Sequence, residues 1–453
     1  MPKKKTALTI EERLQQALVP AEEQPYKVPE NWVWVRLGAI AEIVTGGTPS
    51  KKHPEYYGGN FPFYKPSDLD QGRLTYDASE YLSEEGKNVS RIIPKNSTAV
   101  CCIGSIGKCG YLMCEGTTNQ QINSAIPKIN SLCLYYYLCT ENFVQDLLSM
   151  ASATTIAIVN KSKMESCAFP LPPLSEQQRI VERIEELLAK LDEAKERLQE
   201  VADSFAVRKA AILHKAFTGE LTKQWRWENG VSYESWEEKK GEDFFEYVTS
   251  GSRGCAKYYS DKGSIFIRMG NLNHGTIELD FSDIQYVELP DQVEGQRSKL
   301  QKNDILISIT ADVGMIALVR EDMDAYINQH VALARPKNDL YAEFLAWYFV
   351  SDDGLQQMQN KQRGATKIGL GLQDIRSIIL KIPTLPEQHE IVRLIDDLLA
   401  RERAAQQAAE QALASIDLMK KSILARAFRG ELGTNKASEA SALELLKQVL
   451  AEN

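Results

Sequence analysis

The chain is poor in the residues from which catalytic and metal centres are commonly built. Only five histidines occur in 453 residues, and no two sit at a metal-binding spacing. No G-x-S-x-G elbow is present, and no G-x-G-x-x-G opens a helix. The [DNS]-P-P-[YF] tetrapeptide that a fused methyltransferase needs is also missing. Long apolar runs are absent: nothing approaches the roughly 18 residues of a membrane span. The head MPKKKTALTIEERL has a basic start with no apolar stretch behind it. That argues against a secretory signal and sets a cytoplasmic location as the expectation.

Some chemistry is present in fragments. GSIGK at 104–108 brushes against a phosphate loop, but Cys102 stands at its first glycine position and Cys109 at its Ser/Thr position. Gly107, and Gly314 in ISITADVGM, are therefore read as turn glycines. Seven of the eight cysteines lie between Cys101 and Cys167. With no secretory signal they are expected as reduced, buried thiols, and no second cysteine pair completes a zinc site. The acid pairs Asp352-Asp353 and Asp396-Asp397 fall in helix-like stretches and read as solvated faces. Nothing here reads as an enzyme on its own, and no metal or cofactor is expected in this chain.

Charge is segregated. The net charge is −9, yet residues 176–203 and 220–246 each carry −4. Residues 356–381 carry +4 and residues 252–271 carry +3. Such segregation matters more than the total for binding a polyanion.

What the chain does have is a repeat. PPLSEQQRIVERIEELLA (172–189) matches PTLPEQHEIVRLIDDLLA (383–400) at an offset of 211 residues, and ILHKAFTGEL (212–221) matches ILARAFRGEL (423–432) at the same offset. Elsewhere the offset drifts. It is 204 for Trp32/Trp236 and for Val44-Thr45-Gly46-Gly47 against Val248-Thr249-Ser250-Gly251, and 202 for Tyr56-Tyr57/Tyr258-Tyr259. It is 209 for Asn119-Gln120-Gln121/Asn328-Gln329-His330 and for Pro127-Lys128/Pro336-Lys337, and 212 for Ala153-Thr154/Ala365-Thr366. Each half is thus one variable globular unit followed by one helical unit of fixed length.

Ile180, Ile184, Leu187, Leu191, Leu198, Val201 and Phe205 form a packed-helix stripe. Ser175 is a candidate N-cap and Gly219 a stop, which predicts one helix of about 42 residues, on the order of 60 Å long. A second helix runs from near Pro386 to Gly430. Neither is apolar all round, so each needs a partner, and antiparallel packing of the two satisfies both. Short β-like runs (Ser97–Cys102, Asp304–Ile309, Ile265–Arg268) precede helical stretches at Leu134–Met150 and Tyr341–Gln357. The fold class is α/β or α+β, with a pseudo-twofold internal repeat. The tail SALELLKQVLAEN and the head TIEERLQQALVPAEEQPYKVPENW, joined, would occupy the same place as the linker LTKQWRWENGVSYESW, as if the chain were pseudo-circular; the alternative expectation is that both ends are frayed helices. Expected boundaries are a helical extension at 1–30, globular domains at 31–171 and 231–382, long helices at 172–230 (with linker) and 383–432, and a helical tail at 433–453.

The helix signatures, together with the opening PENWVWVRLGAI, closely resemble the specificity subunits of type I restriction-modification systems. The resemblance implies two target recognition domains, each reading half of a bipartite double-stranded DNA target. It implies an antiparallel coiled coil between them, on which two methyltransferase subunits dock. It places S-adenosylmethionine in the methyltransferase and ATP with magnesium in the restriction subunits. A tandem-repeat interaction scaffold without DNA specificity is the competing expectation. Base-edge readers are sought among loop Arg, Lys, Asn, Gln, Ser and Thr residues. The candidates in the first domain are Thr45, Thr48, Ser50, Lys51, Lys52, Lys65, Ser67, Ser105 and Lys108. In the second they are Thr249, Ser252, Arg253, Arg268, Asn271, Thr310, Lys361, Arg363 and Lys367. Asn119-Gln120 and Asn328-Gln329 recur in both halves and are assigned to the shared fold. Tyr56 and Tyr57 are read as packing residues in preference to base-stacking ones.

Overall fold

A computed structural model describes residues 9–152, 157–290, 294–363 and 369–452. The chain divides into two units, residues 1–198 with 411–453 and residues 199–410. Each unit therefore holds one globular domain together with a portion of both long helices. The matched Ala153-Thr154 and Ala365-Thr366 fall outside the described residues.

The two domains repeat one topology. In the first, a four-stranded antiparallel sheet has the order Ala41–Thr45, Ile122–Pro127, Thr98–Cys101, Cys109–Tyr111. In the second, the order is Phe245–Ser250, Val331–Pro336, Ile305–Ser308, Ile316–Leu318. The inner strands Thr98–Cys101 and Ile305–Ser308 are buried at every residue, which is why they are mostly apolar without alternation. A smaller sheet joins each domain through a parallel pair, with Tyr64 opposite Thr118 in the first and Ile267 opposite Ile327 in the second. A third, two-stranded pairing ties the domain's first strand to its last: Val33–Arg36 with Ala168–Leu171, and Glu237–Lys240 with Ile379–Ile382.

The expected helices at Leu134–Met150 and Tyr341–Gln357 are each split in two. Ser131–Leu138 is followed by Glu141–Met150, and Ala342–Val350 by Asp352–Asn360. Thr140 and Ser351 make the breaks. Each leaves helical geometry and caps the next helix, Thr140 accepting from the Phe143 N–H and Ser351 from the Gly354 N–H. Ala342–Val350 is buried throughout, as expected of a helix that is apolar all round.

The first long helix also departs from expectation. It begins at Leu174, one residue before the candidate cap Ser175, and it is not continuous. Leu174–Asp203 ends at Ser204, and Phe205–Phe217 follows. The Ser204 hydroxyl donates back to the Val201 carbonyl at 2.8 Å, a bond that bends helices. The second long helix, Leu385–Ala427, runs 43 residues without a break. Gly219 and Gly430, both with positive φ, stand just beyond the two ends. Within each unit the two helix segments run antiparallel. In one, Glu176 and Asp192 meet Thr434 and Lys420; in the other, Arg208 and Thr222 meet Glu402 and Glu387.

The repeated Glu-Gln pair at the helix starts holds each unit together. Glu176 is fully buried and accepts from Trp32 Nε1 at 2.7 Å, Thr434 Oγ1 at 3.1 Å and Asn435 Nδ2 at 2.8 Å. Its counterpart Glu387 accepts from Trp236 Nε1 at 3.0 Å and Thr222 Oγ1 at 2.7 Å, and pairs with Arg226 Nη1 at 2.6 Å. The next residue reaches the other way. Gln177 donates to the Pro172 carbonyl and accepts from the Asn130 N–H, while Gln388 donates to the Pro383 carbonyl and accepts from the Tyr341 N–H. One dipeptide thus locks the domain's opening tryptophan, the start of a buried helix, and the turn past the G-E-L of the opposing helix.

The ends of the chain complete the first unit as the linker completes the second. The head helix Ile10–Ala17 packs on the tail helix Ala442–Ala451, with Arg13 Nη1 donating to the Leu450 carbonyl at 3.1 Å. The Ala442 N–H donates to the Asn31 carbonyl, next to Trp32. Cys101, Cys102, Cys133 and Cys167 are buried and form no disulfide. Among the described residues no helix is long and apolar enough to cross a membrane.

The two carboxylates differ in one respect that a measurement can read. Glu387 faces a buried guanidinium, whereas Glu176 meets only neutral donors. Glu387→Gln leaves Arg226 without its counter-charge and should cost about 3 kcal/mol or more. Glu176→Gln should cost about 1–2 kcal/mol. Denaturant unfolding of the two variants, read as the loss in transition midpoint, checks the order. Equal losses would contradict it.

Candidate nucleic-acid interface

The loops leaving one end of each four-stranded sheet converge. In the first domain these follow Thr45, precede Ile122, and connect Cys101 to Cys109. The backbones approach closely: the Gly46 N–H donates to the Ile122 carbonyl, that of Gly47 to Thr118, and that of Cys102 to Gln121. A Cβ on Gly46 would lie 2.2 Å from the Asn119 carbonyl oxygen, and one on Gly251 would lie 2.0 Å from that of Ile327. Both strand ends thus require a glycine, and the two stand at an offset of 205, one more than the 204 at which the Val-Thr pairs match.

The recurrent Asn at the neighbouring loop is also structural. Asn119 Oδ1 accepts from the Gln121 N–H and Asn328 Oδ1 from the His330 N–H, both at 3.0 Å. The next residue is not structural in the same way. Gln120 is exposed and meets Thr48 Oγ1 at the surface. Gln329 and His330 are half-buried, and His330 bridges Gln329 Nε2 and Thr310 Oγ1 at 2.9 and 2.8 Å. Gln120 and Gln329 thus meet neighbouring side chains of their own domain and not the turn backbone.

The strand paired in parallel beside this edge supplies a cation in both domains. Lys65 follows Tyr64, and Arg268 follows Ile267. The offset is 203, and the surrounding KPSDL and RMGNL then align. The Lys65 N–H donates to Asp68 Oδ2 at 2.7 Å, and the Arg268 N–H to Asn271 Oδ1 at 2.8 Å. Each cation has an acid at the same offset: Lys65 pairs with Glu80 and Arg268 with Asp283, both at 2.8 Å. Asn271 is thus the counterpart of Asp68. It also donates to the carbonyls of Asp280 and Asp283, closing that loop from within. Donors from Ser282 and Asn273 hold the Asp280 carboxyl below the usual carboxylate range.

The remaining candidates divide by exposure. Thr48, Ser50, Lys51, Lys52, Ser67, Ser105, Arg253 and Arg363 are exposed. Thr45 is half-buried and donates to Asn123 Oδ1 at 2.8 Å, and its carbonyl accepts from Arg91 Nη1. Lys108 pairs with Asp70 and Arg363 with Asp374. Thr310 is half-buried against His330, and Lys361 half-buried at the end of Asp352–Asn360. Thr249, Ser252 and Asn271 are buried, with 6%, 5% and 3% of their surface exposed, so they shape the edge and do not present side chains on it. Thr249 lies within a paired strand, and Ser252 bridges to Asn328. Lys367 lies outside the described residues. An antiparallel bridge recurs beside the edge, between Ser152 and Ile158 in one domain and between Arg363 and Gly369 in the other.

Tyr57 and Tyr56 are half-buried, and Tyr57 packs against the cluster of Phe61, Phe63 and Leu82, as its reading as a packing residue expects. Burial and the Glu80 carboxylate push the Tyr57 phenol up, so it stays protonated and donates to the Pro49 carbonyl at 2.6 Å. Tyr56 stacks on His53 with ring centres 4.9 Å apart. Arg91, exposed at this edge, was not anticipated from the sequence. It lies between the motifs, and only the fold brings it to Thr45. Among the described residues no His, Cys, Asp or Glu cluster could hold a metal ion.

A duplicated α/β domain on paired helices, presenting polar and cationic loops from one sheet end, defines a class of two-headed reader of an extended polyanion. Comparison with known proteins makes this specific. A family model described as "Type I restriction modification DNA specificity domain" matches residues 29–203 and 233–412, and the chain belongs to that family. The chain is 28% identical to the type I restriction enzyme EcoBI specificity subunit of Escherichia coli, over 94% of this chain and 93% of that one. It is 25% identical to the EcoKI specificity subunit of Escherichia coli strain K12, over 94% and 96%. The crystal structure of the HsdS subunit from Thermoanaerobacter tengcongensis shares the fold, with a TM-score of 0.65, 19% identity, and coverage of 90% of this chain and 99% of that one.

Proposed function

We propose that each globular domain reads one half of a bipartite duplex target through its sheet-end loops. The long helices fix the separation and helical phase of the two halves and dock two methyltransferase subunits. Restriction subunits join in the full complex. The chain is a specificity subunit and not itself the enzyme. S-adenosylmethionine belongs to the methyltransferase, and ATP with magnesium to the restriction subunits. The setting is the cytoplasm, where the DNA is.

The observation that carries this reading is the pairing of unlike loops with like frames. The edges of the two domains occupy equivalent positions and differ in their exposed residues, while the helix signatures keep one offset of 211 residues. Two different half-sites held at one spacing need that combination. An interaction scaffold would need neither the cations at Lys65 and Arg268 nor membership in a DNA-specificity family.

The chain, co-purified with its methyltransferase, should bind a duplex carrying its target more tightly than one lacking a half-site at moderate salt. Loss of sequence preference would defeat the reading. Lys65→Ala and Arg268→Ala should each weaken binding, and where the lost contact is to phosphate, lower the slope of log affinity on log salt by about one. An unchanged slope and affinity for both would remove these residues from the interface. Removing one turn after Glu193 together with the opposing turn of the second helix should change the spacer of the methylated sequence. A methylome with the original spacer would contradict the ruler.

A further inference from the structure

The 211-residue offset also superposes two cavities, and they differ in charge. In the unit built on the first domain, a cavity of about 600 Å³ is lined by Tyr136, Leu188, Asp192 and Lys420, among others. In the unit built on the second domain, a cavity of about 480 Å³ is lined by the counterparts Trp347, Leu399, Arg403 and Lys209. The first is balanced: Lys420 pairs with Asp192, and Arg73 with Glu185. In the second, arginine stands where aspartate stood. Lys209 is half-buried and makes no ion pair or hydrogen bond among the described residues. Its Nζ lies 5.8 Å from the Trp347 ring centre. Burial, and then the neighbouring Arg403, hold its ammonium below the usual lysine range.

The nearby acids have partners other than Lys209. Glu402 meets Arg208 at 2.7 Å. Asp396, raised by burial and by Glu343, is shared among Arg320, the Trp347 indole and Arg403. The approach to the amine is kept open by Gly275, where a Cβ would come within 3.1 Å of Lys209 Nζ. Thr276 and Gln406 add polar side chains to the lining.

We propose that this cavity is a binding site for a phosphate group, held by Lys209 and Arg403 against the Trp347 ring. An ammonium without an ion pair, beside an arginine that shares Asp396 and against an apolar wall, leaves an anion as the complementary occupant. A phosphate supplies that anion, as the monoanionic phosphodiester of a duplex backbone or as a free phosphate.

Calorimetric titration of the full chain with inorganic phosphate tests this, and duplex binding by the same variants identifies the source. The wild type should bind phosphate saturably. Lys209→Met should weaken it about tenfold or more. Arg403→Asp, which restores the carboxylate that Lys420 faces, should abolish it while keeping or raising the melting temperature. Arg401→Asp, on the same helix but outside the cavity, controls for general charge and should bind as the wild type does. If Lys209→Met and Arg403→Asp also lose duplex affinity and Arg401→Asp does not, the phosphate is the duplex backbone's. If duplex affinity is unchanged, the ligand is a free phosphate. The proposal is overturned if neither phosphate nor duplex binding distinguishes the two cavity variants from Arg401→Asp. The phosphate titration does not depend on the DNA reading, so either can fail alone.

Discussion

A buried carboxylate at the start of each long helix is the constraint on which the rest of the structure depends. Glu176 and Glu387 each sit at zero exposure and must be fully satisfied. The donors that satisfy them come from a domain's first strand region and from the turn past the end of the opposing helix. The helix start, the domain and the opposing helix end are thereby fixed to one another in each unit. The interaction is local, yet its consequence is geometric: each domain is registered on the helix pair by a few hydrogen bonds that tolerate no displacement. Glu387 also carries a buried ion pair with Arg226, which Glu176 replaces with the amide of Asn435. The same junction is thus met by an internal linker in one unit and by the chain's own tail in the other.

That registration leaves the sheet-end loops able to differ. Their backbones are pinned from beneath by Gly46 and Gly251, by Asn119 and Asn328, and by Asp68 and Asn271, all serving equivalent roles. Above these supports the side chains diverge: half-buried Lys108 stands where buried Met315 does, and half-buried Gln121 where half-buried His330 does. Several of the cations already have acid partners at the surface, such as Lys65 with Glu80 and Arg268 with Asp283. Exposed pairs of this kind are worth little, so exchanging the carboxylate for a phosphate costs little and also suppresses unspecific attraction.

Much of the architecture was legible in the sequence because it rests on constant spacing. The equal offsets of PxLxEQ and G-E-L identify two like frames, and the buried strands and helices announce themselves by apolar runs. The break at Ser204 was not legible, since one serine in an acidic helical stretch carries no periodic signal. Nor were the splits at Thr140 and Ser351, where capping overrides an unbroken apolar pattern. At the interface, residue type alone could not tell Arg268, on the surface, from Asn271, which turns inward three residues later. The offset of 203 that pairs Asn271 with Asp68 lies in the sequence, but its meaning depends on seeing Asp68 cap the loop. Arg91 reaches Thr45 only through the fold.

The central claim is that the two domains are independent readers registered on a common frame. It is tested most directly by replacing residues 31–171 with the equivalent domain of a related subunit and sequencing the methylated sites of the host. The account predicts that one half-site changes to that of the donor, while the other half-site and the spacer stay as they were. A change in both half-sites, or in the spacer, would contradict it.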